Sequence, residues 1–377
     1  MAVVYYQQAQ IFNGRVLLKG YSLAVEDGRT LALVPDELVD KNAQVVRLSG
    51  GILTPGYVEL QANGGGGVLF NEHPTLAGIE AILAAHRQFG TVAMLPTFIT
   101  DSAEQLALAM AAVAQGIEAQ TVGLIGGHFE GPFINVEKKG THRADFIRMP
   151  EAVDWQMFAR RDLGNSLVTL APEKVPEGFV AHLVSLGFRV NAGHTLADER
   201  AMLAAFHEGL GGVTHLYNAM PAFAGRSSGV LAAAVRLGLN CGIIVDGVHS
   251  EAAALQVAFK LLGKDYLSLV TDSMHTIGAK GIESFELTGQ RVFVQGDRLV
   301  NEEGSLAGAH ITMERSVKNA RDLMQVGVAD ALTMAITTPA RYIGRADLAR
   351  ITGRRLADIL YLDEALSLQA LPWVELD

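Results

Sequence analysis

Six polar residues draw attention because each ends or closely follows a short apolar run. Gln61 closes Tyr57 to Leu60, Glu130 closes the run from Thr121, His194 closes Phe188 to Gly193, and His215 lies in Gly212 to Tyr217. His249 follows Asn240 to Asp246, and Asp272 closes Tyr266 to Thr271. Glu130, His194 and His215 offer one carboxylate and two imidazoles, a donor set that suits a borderline divalent ion such as Zn²⁺ or Fe²⁺ and leaves a position open for water. An ion of this kind lowers the pKa of water from about 16 to about 7, and Asp272 is the natural general base beside it. The chemistry that this set points to is metal-assisted hydrolysis. For an anionic substrate the candidates are His142, Arg226 and His249, all in segments that follow strand ends, with Arg suited to bidentate phosphate contact. Side chains alternate along a strand, so His128 shares a face with Glu130, and a supporting role is favoured for it over ligation.

These residues need elements to aim them. Eight apolar strand candidates run from Tyr57 to Gln61, Thr91 to Thr97, Thr121 to Glu130, Leu167 to Ala171, Phe188 to His194, Gly212 to Tyr217, Asn240 to Asp246 and Tyr266 to Asp272. Helical patterns fall between them, among them Leu76 to Phe89, Ala103 to Val113, Ala197 to His207 and Glu251 to Leu262. Alternation of this kind is an α/β pattern and predicts a (β/α)8 TIM-like barrel, in which chemistry sits where strands end and loops begin. Residues 1–54 read differently, as short strands separated by the turn signals Asn13-Gly14 and Asp27-Gly28, and strand patterns return at Asp358 to Leu362 and Leu366 to Leu371. The expectation is a small β-sandwich domain formed from both termini, residues 1–54 and 343–377, around a barrel at 55–342 that carries a β-hairpin insertion near 284–300.

Composition narrows the function class. The 377 residues are 49% hydrophobic and carry a formal net charge of −10 with no cluster of Lys and Arg, which argues against a nucleic-acid partner. No run reaches the roughly 18 apolar residues of a membrane span, and Met1 to Gln10 lacks the pattern of a leader, so a soluble cytoplasmic protein without a membrane partner is expected. The single cysteine, Cys241, reads as a small core residue. Asn63-Gly64-Gly65-Gly66-Gly67 lacks the spacing of a nucleotide-binding loop and reads as a tight turn that brings backbone to the barrel mouth.

Several segments resemble a known family when taken together. They are Leu53 to Gln61, His128-Phe129-Glu130-Gly131-Pro132, Lys139-Gly140-Thr141-His142, Leu170-Ala171-Pro172-Glu173, Ala192-Gly193-His194-Thr195, Thr214 to Met220, Asp246-Gly247-Val248-His249 and Val270-Thr271-Asp272. The chain resembles the N-acetylglucosamine-6-phosphate deacetylases of the amidohydrolase superfamily from about Phe12 to Leu362. The resemblance implies hydrolysis of an acetamide to glucosamine 6-phosphate and acetate in amino-sugar catabolism. It assigns Glu130, His194 and His215 to the metal, Asp272 to acid/base work and His142 to the developing oxyanion. It further gives Asn218, the Ala219 backbone and His249 to the phosphate, and Arg226 to the phosphate of a neighbouring subunit, which implies a homodimer. Leu306 and Ala307 match a segment near the substrate.

Many superfamily members open strand one with a His-x-His pair, where this chain has Glu59-Leu60-Gln61, so one divalent metal per subunit, Zn or Fe, is expected. Gln61 is read either as a barrel-lining amide or as the group that hydrogen-bonds a metal-bound water. Ser273-Met274-His275-Thr276 and His310 are bulkier than the family pattern and bear on substrate scope. Two alternatives stand beside this reading. One is a deacetylase or cyclic amidohydrolase for a related N-acyl sugar phosphate, and the other is a non-catalytic sugar-phosphate-binding protein.

Overall fold

The computed structural model describes residues 3–287, 290–302, 304 and 306–372. Its centre is an eight-stranded parallel sheet: β1 (Tyr57–Ala62), β2 (Thr91–Ile99), β3 (His128–Glu130), β4 (Leu167–Leu170), β5 (Arg189–Ala192), β6 (Gly212–Val213), β7 (Asn240–Ile244) and β8 (Leu267–Val270), each hydrogen-bonded to the next in chain order. Helices connect and cover these strands. Ala103–Glu118 shows how: Leu106, Ala109, Met110 and Val113 recur at helical spacing and are buried against the barrel, while the Ser102 hydroxyl accepts the Gln105 N–H at the open first turn. Complete burial of a side chain such as Val113 contributes roughly 1.5–3 kcal/mol.

Six of the eight expected strands are shorter than their apolar runs, β3, β5, β6 and β8 by the most. Thr121 to Gly127 is a turn followed by isolated bridges, so that only His128–Glu130 is strand. The glycines explain this. Gly123 takes φ +93°, and a Cβ on Gly126 would lie 2.4 Å from the Asn165 carbonyl oxygen, so this stretch makes close approaches that a regular ladder would not. At the other three ends, His194, His215 and Asp272 take φ of 47°, 31° and 49°. Such left-handed turns leave the ladder and throw these side chains into the barrel mouth, which is where backbone strain concentrates in proteins.

The seam between β1 and β8 is closed partly by side chains. Asp272 N–H donates to the Gln61 carbonyl at 2.8 Å and Asn63 N–H to the Ser273 carbonyl at 2.8 Å. One turn deeper, the buried Glu59 carboxyl accepts from Gln61 N–H (2.9 Å) and Thr271 N–H (3.1 Å), and so laces the two strands together.

Outside the barrel, two sheets face each other. Arg29–Pro35, Tyr21–Glu26, Val4–Gln7 and Gln44–Arg47 form one; Leu368–Gln369, Ile359–Leu362, Ile52–Pro55, Gln10–Phe12 and Leu17–Leu18 form the other. Tyr6, Leu23 and Val46 from the first share one apolar cluster with Ile11, Leu53 and Ile359 from the second. The segment read as a hairpin belongs to a larger unit, an antiparallel sheet of Ser284–Leu287, Gln290–Gln295, Arg298–Asn301 and Leu306–Ala309. Its expected turn residues Thr288 and Gly289 lie outside the described residues, as do Met1, Ala2 and residues 373–377. No helix among the described residues is long and apolar enough to cross a membrane.

Candidate metal centre and active site

The ends of β3, β5 and β6 bring three ligand atoms together. His215 Nε2 lies 3.0 Å from Glu130 Oε1 and 2.9 Å from His194 Nε2, and His194 Nε2 lies 3.1 Å from Glu130 Oε1. All three residues are buried. His194 Nδ1 faces the Lys138 carbonyl at 2.7 Å, which takes the ring proton on that side and leaves Nε2 its lone pair. Two imidazole nitrogens and a carboxylate oxygen so close and so dry suit a shared cation. Burial alone would raise the Glu130 carboxyl, yet the hydrogen bonds and charge of His194 and His215 outweigh it and hold the group well below the usual carboxylate range. It is therefore anionic where a cation would sit.

Asp272 stands beside this cluster. Its Oδ1 accepts from Asn63 Nδ2 (2.8 Å) and Gln61 Nε2 (3.2 Å), while Oδ2 has no hydrogen-bond partner among the described residues. Burial raises the Asp272 carboxyl and the negative charge of Glu130 raises it further, against the opposing effects of His215, Asn63 and His249. A carboxylate fixed through one oxygen and free at the other, with its proton affinity increased, is arranged to accept a proton.

Gln61 Nε2 also reaches Glu130 Oε2 at 3.2 Å, so its two amide hydrogens span Glu130 and Asp272. Its side-chain oxygen, Oε1, is left as an acceptor. The pair of β1 side chains that reaches the cluster is therefore Gln61 and Asn63, and the pair to compare with His-x-His is Gln61-Ala62-Asn63. Glu59, in the sequence reading the first member of that pair, turns to the seam instead.

His142 packs its ring 4.3 Å from that of His194. Thr100 N–H points at His142 Nδ1 (3.4 Å), with the Thr100 hydroxyl 2.8 Å from the same nitrogen. An Nδ1 that accepts leaves the proton on Nε2, free to be donated to substrate. Burial, and then the neighbouring His194, lower its pKa well below the ordinary histidine value and keep the ring neutral.

The remaining candidates lie further out. Asn218 and Ala219 occupy the turn after His215, where Asn218 N–H donates to the His215 carbonyl and the Ala219 carbonyl accepts from Thr195 N–H. His249 is held by Asp246, whose Oδ2 lies 2.6 Å from its Nδ1. Arg226 is on an exposed loop and makes no ion pair among the described residues; the structure does not bring it to the cluster. Leu306 is exposed and Ala307 buried on the last strand of the antiparallel sheet, which is tied to the loop after β8 by Met274 N–H on the Ala309 carbonyl. His275 packs edge-on against Phe285 and His310 Nδ1 meets the Thr276 hydroxyl at 2.7 Å, so both join that sheet to the barrel.

Sequence reasoning missed Asn63 and the Lys138 carbonyl. Asn63 had a signal, since it lies two residues beyond Gln61 and thus on the same face. A backbone carbonyl carries none.

No family model matches the chain. Individual relatives do. The chain is 40% identical to the N-acetylgalactosamine-6-phosphate deacetylase of Shewanella sp. (strain ANA-3), over 84% of this chain and 81% of that protein. It is 33% identical to the N-acetylglucosamine-6-phosphate deacetylase of Haemophilus influenzae, over 89% of each. Among solved structures, the N-acetylglucosamine-6-phosphate deacetylase of Pasteurella multocida superposes with a TM-score of 0.91 at 33% identity, covering 97% of both chains. A variant of the N-acetyl-D-glucosamine-6-phosphate deacetylase of Mycobacterium smegmatis, in complex with N-acetyl-D-glucosamine-6-phosphate, gives a TM-score of 0.86 at 25% identity, covering 97% of this chain and 96% of that one.

Proposed function

The chain belongs to the N-acetylglucosamine-6-phosphate deacetylase family, and on that premise we propose that it hydrolyses the acetamide of N-acetylglucosamine 6-phosphate to glucosamine 6-phosphate and acetate. The observation that carries the reading is the convergence of Glu130, His194 and His215 beside a carboxylate, Asp272, that keeps one oxygen free. Glu130, His194 and His215 would hold one divalent ion per subunit, Zn or Fe, which when bound would supply an acidified water and polarise the acetyl carbonyl.

The protein's own groups do the rest. Asp272 Oδ2 takes the proton of the attacking water and returns it to the departing amine, while Gln61 and Asn63 keep Oδ1 in place. The Gln61 side-chain Oε1 accepts from that water and sets its direction, with Nε2 of the same amide anchored to Glu130 and Asp272. His142 Nε2–H donates to the oxygen on which charge develops, in a buried setting where such a bond is strong. Asn218, the Ala219 N–H and His249 bind the 6-phosphate, Arg226 reaches it from the other subunit of a homodimer, and Leu306 and Ala307 border the substrate.

A second reading has specific support. The relative with 40% identity is named for the galactosamine epimer, which differs from the glucosamine substrate only at C4. A panel of N-acetylglucosamine 6-phosphate, N-acetylgalactosamine 6-phosphate and both sugars without phosphate separates the possibilities. The proposal expects acetate release that requires the 6-phosphate and is faster with the gluco epimer. A clear preference for the galacto epimer moves the assignment to that sugar, and equal rates without phosphate reject both.

A further inference from the structure

Below the three ligands, the barrel interior carries a continuous polar belt that the chemistry above does not use. Ala62 N–H donates to Thr97 Oγ1 (3.0 Å), which lies 3.0 Å from His128 Nδ1. His128 Nε2 lies 2.8 Å from Thr169 Oγ1, and Thr169 Oγ1 lies 2.6 Å from Thr214 Oγ1. Asn191 Nδ2 donates to Thr214 Oγ1 (3.2 Å) and is itself fixed by the Tyr342 hydroxyl on its Oδ1 (2.5 Å). The belt thus ties β1 through β5 to the turn that follows β6, and its members other than Tyr342 are buried. Threonine hydroxyls can donate or accept, so a neutral His128 in either tautomer completes the chain.

Belt residues lie within two positions of Glu130 and His215 in the chain and pack against the residue before His194. His128 precedes Glu130 by two residues on one face of β3, and Thr214 immediately precedes His215. Thr169 and Thr214 close on Gly193, the residue before His194: a Cβ there would meet Thr169 Cγ2 at 2.6 Å and Thr214 Cβ at 3.0 Å. His194 and His215 both leave their strands in left-handed conformations, which persist only where the surroundings over-determine them.

We propose that the His128–Thr169–Thr214 belt is a positioning device for the metal centre, setting the backbone from which Glu130, His194 and His215 project and hence the affinity and geometry of the ion. The proposal rests on the reading of these three residues as metal ligands. It makes His128 a positioning residue that contacts neither ion nor substrate.

Thr169 gives the cleanest test, because Val keeps its shape while removing the hydroxyl and Ser keeps the hydroxyl while removing the methyl. Zn²⁺ affinity is measured by competition with a chromogenic chelator, and the ligand field by the visible spectrum of the Co²⁺-loaded protein, in the parent, Thr169→Val, Thr169→Ser and His128→Leu. Thr169→Val is expected to bind Zn²⁺ roughly 10- to 100-fold more weakly and to shift the Co²⁺ spectrum, as loss of a supporting contact does at metal sites, while Thr169→Ser stays near the parent. His128→Leu should weaken binding at least as much as Thr169→Val; if it does not fold, the threonine pair still decides. Equal affinities in parent and Thr169→Val overturn the belt's role, and so does a Thr169→Ser as weak as Thr169→Val, which would point to packing. A parent that binds no ion overturns the metal reading itself, a failure distinct from that of the belt.

Discussion

The role proposed for Asp272 rests on the different surroundings of its two oxygens. Gln61 and Asn63 hold Oδ1, and Oδ2 is open. Replacement by Asn keeps the shape but removes the proton acceptor, so Asp272→Asn should lower kcat by about 10²- to 10⁴-fold while bound metal, measured by elemental analysis, stays at the parent level. A variant within a few-fold of the parent rate would show that another group takes the proton. Glu130, His194, His215 and Asp272 stood out in the sequence because each is an ionisable residue within or at the end of an apolar run. Asn63 was masked by the glycines after it, and the Lys138 carbonyl that orients His194 is backbone, which composition does not mark. His142 and Thr100 are 42 positions apart and are joined only by the fold.

Among the elements, the seam between β1 and β8 has the most to say about stability. Burial pushes the Glu59 carboxyl up to about 8, against its hydrogen bonds from Gln61 and Thr271 and with a further push from Asp272. A raised folded-state pKa means that the folded protein holds this proton more tightly than the unfolded chain, whose value is near 4.5. The resulting contribution to stability is fully present below about 4.5 and is lost as pH rises toward about 8. Glu59→Gln cannot titrate and also loses one acceptor for backbone N–H, so it should begin less stable and show a flatter decline in urea midpoint between those pH values. If parent and variant decline in parallel, Glu59 is not the group responsible. The alternating strands and helices of the barrel were readable from periodicity, yet the lengths of β3, β5, β6 and β8 were not. Left-handed turns at His194, His215 and Asp272 follow β5, β6 and β8, glycines shorten β3 from its start, and an apolar run gives no sign of where the backbone changes hand.

At the scale of the whole molecule, the barrel was foreseeable from the alternation, and the two-sheet unit drawn from both ends of the chain follows from strands at 52–55 and 359–362 pairing with each other. The four-stranded sheet at 284–309 exceeded the expected hairpin, because Leu306–Ala309 reads as a small-residue loop until it is laid beside Met274 and Ala309 is bonded to it. Arg226 is exposed on its loop, and its proposed service to a second subunit can be tested directly. Arg226→Ala should raise KM for the phosphorylated sugar by about 10- to 100-fold with little change in kcat, as loss of a charged hydrogen bond predicts. In the proposed homodimer, coexpression with Asp272→Asn subunits should restore low-KM turnover, since half of the dimers would be mixed and each would hold one complete site, about one site in four overall. No restoration would mean that sites are not shared. The most direct test of the account as a whole is acetate release from N-acetylglucosamine 6-phosphate by chelator-stripped protein, followed by addition of Zn²⁺ or Fe²⁺. The account predicts that stripping abolishes release and that one equivalent of ion per subunit restores it; release that persists in the stripped protein, or that needs two ions, would contradict it.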